Sequence, residues 1–236
     1  SGCDAAAWAM LGGMTSDGLR WFLIPRSDYT IEDTWFVSGL RGTGSKDIVI
    51  EETFVPEHRV GNVAAMREGQ SPGRELHGSC NYQIPHTSML SYTLAAPVLG
   101  IAQGALETFE EQVMGRTTYT TGEKLGENSS VHIRLSEGEA EIHSARLIMK
   151  NDGEEVFAQI RRGEMPSISQ RARFRRNQAY VAKLSAQAVD RLFEASGGHV
   201  LFNSNPMQRF HRDAHAASHH FGIHWETLAE EYGRVR

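Results

Sequence analysis

The chain has 236 residues, 40% of them hydrophobic and 22% charged, with a net charge of −5 at pH 7. That length buries a sizeable core as one large domain or two small ones, and the composition is that of an ordinary globular protein. The acidic balance gives no support to a nucleic-acid or membrane-surface role, no apolar run approaches the length of a membrane span, and no signal peptide is visible.

In chain order, Ser1-Gly2-Cys3-Asp4 does not begin with Met and reads as the middle of a structure, so a further segment is expected upstream. Leu19, Trp21, Leu23 and Ile24 form a short strand that ends at Pro25. Trp35-Phe36-Val37 reads as a second strand and Ile48 to Val55 as a third, with turns at Pro25, Gly39 and Gly42-Thr43-Gly44 between them. From Gly61 to Met89 the chain is rich in Gly, Ser and Pro and has little periodicity, which reads as a linker.

Helices follow. The first spans about Leu90 to Arg116, with Pro97 in its early turns and Ala95, Ala96, Gly100, Ala102, Gly104 and Ala105 small enough to let another helix approach. The second spans about Ser130 to Asn151, and its stripe of Val131, Leu135, Gly138, Ile142, Ala145 and Met149 is the seam of a bundle. The third, about Ser167 to Ser196, carries Ala182, Ala186, Val189 and Phe193 on one face and ends at Gly197-Gly198. Shorter helices near Met207 to Ser218 and His224 to Tyr232 complete an α+β chain. The expected division is a β part at 1–62, a linker at 63–88 and a helical bundle at 89–236.

Cys3 and Cys80 have no metal-ligand spacing and cannot make a disulfide framework, so a reducing cytoplasm is the simplest compartment. His211, His215 and His219 fall at i, i+4 and i+8, with His220 and His224 nearby. That spacing aligns imidazoles on one helix face. Without a matching third ligand from another element it reads as a solvated or inter-subunit face, and no metal is expected. Arg171, Arg173, Arg175 and Arg176 form a basic cluster without interleaved aromatics, so it gives no nucleic-acid platform.

Four stretches together resemble the acyl-CoA dehydrogenase superfamily. They are SGCD at Ser1, the loop and strand SGLRGTGSKDIVIEETFVPEHRV from Ser38 to Val60, Arg116 near the end of the first long helix, and SGGHVLFNSNPMQRFHRDAHAASHH from Ser196 to His220. The resemblance implies part of a middle β-domain followed by the C-terminal helical bundle, without the family's N-terminal helical domain. Straight-chain dehydrogenases carry a catalytic Glu shortly after the Arg-Asp pair; aligning on Arg212-Asp213 puts His220-Phe221-Gly222 there. That departure resembles the flavin-dependent monooxygenase branch, the oxygenase components of two-component hydroxylases of phenols and the dibenzothiophene monooxygenases.

Membership of that branch implies a homotetramer that takes reduced FMN or FAD from a separate flavin reductase. It would hydroxylate a small, aromatic substrate through a C4a-hydroperoxyflavin. By the same resemblance Ser1 lies beside flavin N5, Arg116 reaches a flavin phosphate, and Gly197, Gly198 and His199 let the backbone approach and donate there. His220 is the expected acid–base residue, because an imidazole titrates near neutral pH, and His215 stands second near the substrate. Trp35 has a place near the isoalloxazine or in the core. Arg209, Arg212 and Asp213 fix the last helices. Two other readings stay open: an acyl-CoA dehydrogenase or oxidase with a displaced base, and a truncated, non-catalytic assembly partner.

Overall fold

Unit 1 of the structure, a computed structural model that describes residues 1–117, 122 and 124–236, comprises residues 1–86, and unit 2 comprises 87–236. Unit 1 is built on a hairpin. Strands β1 (Trp8–Thr15) and β2 (Gly18–Pro25) pair antiparallel from Trp8↔Pro25 to Thr15↔Gly18. The turn needs a positive φ, which Gly18 supplies at 106°. Gly13 is a close-approach position, because a Cβ there would lie 2.9 Å from the Phe22 ring.

On the other side of β2 lies β5 (Val60–Asn62), completing a three-stranded sheet of order β1-β2-β5. A second ladder joins β3 (Thr30–Glu32) to β4 (Asp47–Val49). Ala9, Ile24 and Tyr29 form the centre of this unit, with Leu11, Phe22, Ile31, Ile48, Ile50 and Val55 around them.

Four differences from the sequence reading belong here. β1 was not expected, since its two glycines hide the alternation. Trp35-Phe36-Val37 is not a strand. Its indole Nε1 donates to the Leu40 carbonyl at 3.0 Å, so a β-favouring residue serves to anchor a loop instead. The stretch from Ile48 leaves the ladder after Val49. The expected linker is also not bare loop. It holds α1 (Val63–Arg67), capped by the Asn62 side chain, and α2 (Gly73–Leu76). A further turn, α3 (His86–Met89), follows.

Unit 2 is a helical bundle. Its centre is α6 (Ile168–Ala195), which packs on α4 (Tyr92–Met114), α5 (Ser129–Arg161), α7 (Pro206–Ser218) and α8 (Trp225–Val235), while α4 packs in turn on α5 and α7. Ala95, Val98, Ala102, Ala105 and Phe109 of α4 are wholly buried. That surround explains a correction. By length and composition alone, the helical stretch from His86 to Val113 is long and apolar enough to cross a membrane. A central bundle helix passes the same test because neighbouring helices cover its apolar faces.

The α5 seam holds as expected, with Val131, Gly138, Ile142 and Ala145 buried, but α5 continues past Asn151 to Arg161. Asp152 lies in the middle and is wholly buried. It accepts from Tyr92 Oη at 2.7 Å and from Asn177 Nδ2 at 3.0 Å. Tertiary hydrogen bonds thus hold a turn-like Asn-Asp-Gly triplet inside a helix. α6 opens with a capping box: Ser167 Oγ accepts from Gln170 N at 3.2 Å, and Gln170 Oε1 from Ser167 N at 2.9 Å.

Candidate functional site

The end of α6 sets the first part of the site. Ser196 caps the helix with its hydroxyl donating to Leu192 O at 2.7 Å, and Gly197 follows at φ 71°. Few residues other than glycine adopt that conformation, so the chain turns sharply into the segment that carries His199. Arg116, just past the end of α4, donates from Nη1 to the Ser196 carbonyl at 3.1 Å. A guanidinium has five N–H donors, so this one bond does not exhaust its donors.

Opposite stands the start of α7. Asn205 accepts from Met207 N at 3.0 Å as the N-cap, and Pro206 fills the first turn, where no N–H is needed. The Asn205 and Gln112 amides pair reciprocally, at 3.3 and 3.2 Å. Between these parts lies a cavity of about 440 Å³ lined by Gln112, Arg116, His199, Ser204, Asn205 and Pro206. A guanidinium, an imidazole, two amides, a hydroxyl and a helix N-terminus together suit an anion such as a phosphate. Arg116 and His199 were legible in the sequence. Gln112, Ser204 and Asn205 were not, though Asn205-Pro206 is a helix-start signal. The wall is made by His199 rather than by Gly197 and Gly198.

The second part follows α7. His220 caps the next turn, with Nδ1 accepting from Gly222 N at 3.1 Å. That bond assigns the neutral tautomer: the lone pair is on Nδ1 and the proton on Nε2. Burial of part of the ring holds its pKa below the usual histidine range, so the neutral form prevails at neutral pH. Phe221 stacks on the ring at 4.6 Å and is itself 84% exposed.

His215 sits elsewhere. Its Nε2 lies 2.6 Å from Asp190 Oδ1 of α6. It helps to line a cavity of about 260 Å³ whose wall includes Asp190, His219, His224 and Trp225 but not His220. His211 stacks on Phe193 at 4.3 Å, and its Nε2 is 3.2 Å from the same Asp190 oxygen. Burial and then the charge of His215 hold its pKa low. His219 turns away, with Nδ1 against the His215 carbonyl at 2.7 Å.

In unit 1, Ser1 is exposed at the start of a tight turn. Gly2 N donates to Thr43 O at 3.2 Å, and Cys3 Sγ donates to Gly44 O at 3.7 Å. Two of the stretches that carried the family resemblance, SGCD and the Gly-rich loop, are thereby held together. Leu40 in that loop has φ 54°, and its carbonyl accepts from Trp35 Nε1, Thr43 N and Thr43 Oγ1. Those three bonds sustain a conformation that a leucine disfavours.

The arginine cluster of α6 is engaged within the bundle. Arg173 pairs with Glu155, Arg175 with Glu231, and Arg176 lies over the Tyr232 ring at 4.3 Å. Arg209 lies over Phe210, and Arg212 donates to Gln208 Oε1 at 2.7 Å.

The family described as acyl-CoA dehydrogenase, C-terminal domain, matches residues 92–225. The oxygenase subunit HsaA of a flavin-dependent monooxygenase from Rhodococcus jostii (strain RHA1) is 38% identical over 99% of this chain and 63% of its own length. The oxygenase component of p-hydroxyphenylacetate 3-hydroxylase from Acinetobacter baumannii is 31% identical over 99% of this chain and 57% of its own. The crystal structure of 3-HSA hydroxylase from Rhodococcus sp. RHA1 superposes with a TM-score of 0.90 at 37% identity, covering 100% of this chain and 62% of that one. The chain thus spans about three fifths of the length of the relatives it matches.

Proposed function

We propose, on the premise that this chain belongs to the acyl-CoA dehydrogenase family through its C-terminal domain, that it serves the oxygenase component of a two-component flavin-dependent monooxygenase. The observation that carries the reading is the polar cavity between the end of α6 and the start of α7, where Arg116 and His199 meet. Its donor set fits the phosphate of a flavin, and the residues that form it belong to a chain similar to named oxygenase subunits along nearly its whole length. Unit 1 is then part of the middle β-domain and unit 2 the C-terminal bundle.

Reduced FMN or FAD, supplied by a separate reductase, contributes oxygen activation when bound. The chain's own residues bind and orient. Arg116 gives its other N–H donors to the phosphate while the Ser196 carbonyl holds the guanidinium in place, and His199 adds a donor. Ser1 offers a hydroxyl on a turn pinned to the Gly-rich loop, as the resemblance asks of a residue near flavin N5. His220 presents an Nε2–H, so its role is that of a neutral hydrogen-bond donor to a reacting oxygen. To act as a base it must first give up the Gly222 bond. The substrate is a small phenol, the chain assembles as a homotetramer, and the compartment is the cytoplasm.

The test uses anaerobic titration of reduced FMN and FAD into the chain, then mixing with labelled oxygen and p-hydroxyphenylacetate. Label appearing in a hydroxylated product supports the reading. Bleaching of tightly bound oxidised flavin by an acyl-CoA thioester, with no labelled product, overturns it in favour of a dehydrogenase.

A further inference from the structure

The helix-face histidines lacked a third group in the sequence, and the fold supplies one. Asp190 reaches across from α6 to His211 and His215 on α7, and the three donor atoms lie within 4.8 Å of one another. We propose that Asp190, His211 and His215 form a binding site for a divalent transition-metal ion of the zinc class, clamping α6 to α7. This inference is independent of the flavin reading.

The argument is one of donor chemistry and spacing. Both Nε2 atoms point at a single carboxylate oxygen, at 3.2 and 2.6 Å. Two imidazole nitrogens and a carboxylate oxygen converge, and in the metal-free chain N–H protons between them can hold the three together as hydrogen bonds. A metal ion can replace those protons. A tetrahedral zinc with bonds of about 2.0–2.2 Å sets its ligand atoms about 3.4 Å apart. The His211 distance already matches, and the His215 distance has to open by less than an ångström.

Two imidazoles and one carboxylate are a borderline donor set that favours zinc, cobalt, nickel or copper over calcium or magnesium. All three side chains are half-buried, so an ion can reach them, and a fourth position stays open for water. The i, i+4 spacing on α7 fixes the two imidazoles on one face, and Phe193 stacked on His211 restrains that ring. His219, although in the same helical register, is directed to a backbone carbonyl and is not a ligand.

Binding is written with its protons: a neutral imidazole that gives its Nε2 lone pair to the ion moves its proton to Nδ1 with no net release, and a cationic one loses one proton to solvent. The experiment titrates the chain with zinc chloride alone by calorimetry in two buffers of different ionisation enthalpy, and with cobalt chloride alone by visible absorption. The expected result is one ion per chain, no more protons released than there are imidazoles charged beforehand, and cobalt bands of four- or five-coordinate intensity. Asp190→Asn and His211→Ala each weaken zinc by at least about tenfold, and His219→Ala leaves the affinity unchanged.

A wild-type zinc Kd weaker than about 100 µM overturns the proposal and leaves the cluster as a hydrogen-bonded pin between two helices. Binding that survives Asp190→Asn but not His219→Ala overturns it as well. The wild-type titration decides the first point without any variant. The conservative Asp190→Asn, checked for native circular dichroism, decides the second should His211→Ala fail to fold.

Discussion

His220 shows how one hydrogen bond narrows a catalytic role. Because Nδ1 is occupied by Gly222 N, the useful atom is Nε2, and the amide nitrogen of a glutamine can take its place. His220→Ala is expected to lower the rate of labelled product formation by about 10²–10⁴-fold, while His220→Gln recovers a measurable part of it. Equal loss in both variants would exclude the donor role. Two neighbouring carboxylates make a second residue-scale test. The hydrogen bond from Arg173 holds Glu155 below its ordinary 4.5, so its contribution to stability is present above pH 4.5 and is lost as pH falls through the folded value. Burial holds Asp152 above its ordinary 3.8, so its contribution is complete below pH 3.8 and declines as pH rises through the folded value. Urea unfolding of Glu155→Gln should therefore show a deficit of about 1 kcal/mol at pH 7 that shrinks at pH 3.5. A deficit unchanged with pH would mean that packing, not charge, is at stake. The sequence singles out His220 and Arg116, since their spacing from other motifs is a property of the chain. It gave no sign that Asp190 or Asn205 would join a site, because those meetings depend on how α4, α6 and α7 pack.

Among the helices, glycine reports the packing of whole elements. Gly138 faces Leu192 across the α5–α6 seam, where an added Cβ would lie 3.5 Å away, an ordinary contact. Gly104 of α4 faces the Phe210 ring of α7, where it would lie 3.1 Å away. Gly138→Ala is expected to stabilise the fold by about 0.5–1 kcal/mol through helix propensity, and Gly104→Ala to destabilise it by about 1 kcal/mol as the ring is displaced. Thermal unfolding of the two variants checks the opposed signs. If both stabilise, the α4–α7 contact is looser than it stands here. The existence and faces of the helices were readable from stripes, caps and the closing Gly197. The length of α5 was not, since the bonds that carry it through Asp152 come from Tyr92 and Asn177, far away in sequence. The strands were harder for a related reason: unit 1 orders short ladders by side-chain anchors such as Trp35, which leave no periodic trace.

At the scale of the whole molecule, the order of a β part before a helical bundle was plain from the change in periodicity after Met89. What lies on its surface was not. Ile133 and Leu147 of α5 remain well exposed in the single chain, near one helical face. If that face joins subunits in the proposed tetramer, Ile133→Glu should lower the mass found by sedimentation equilibrium. An unchanged mass would move the interface elsewhere. The hairpin of unit 1 has a different consequence. Among the described residues β1 pairs only with β2 and so lies at the edge of its sheet, eight residues long, without a charge or a proline, with Met10 62% and Met14 78% exposed. An uncharged apolar edge of that length is a template on which a second copy can add a strand. Concentrated solutions of this chain are accordingly prone to cross-β aggregation that begins at Trp8–Thr15, and a lysine in place of Met14 should delay the onset of turbidity without changing the fold.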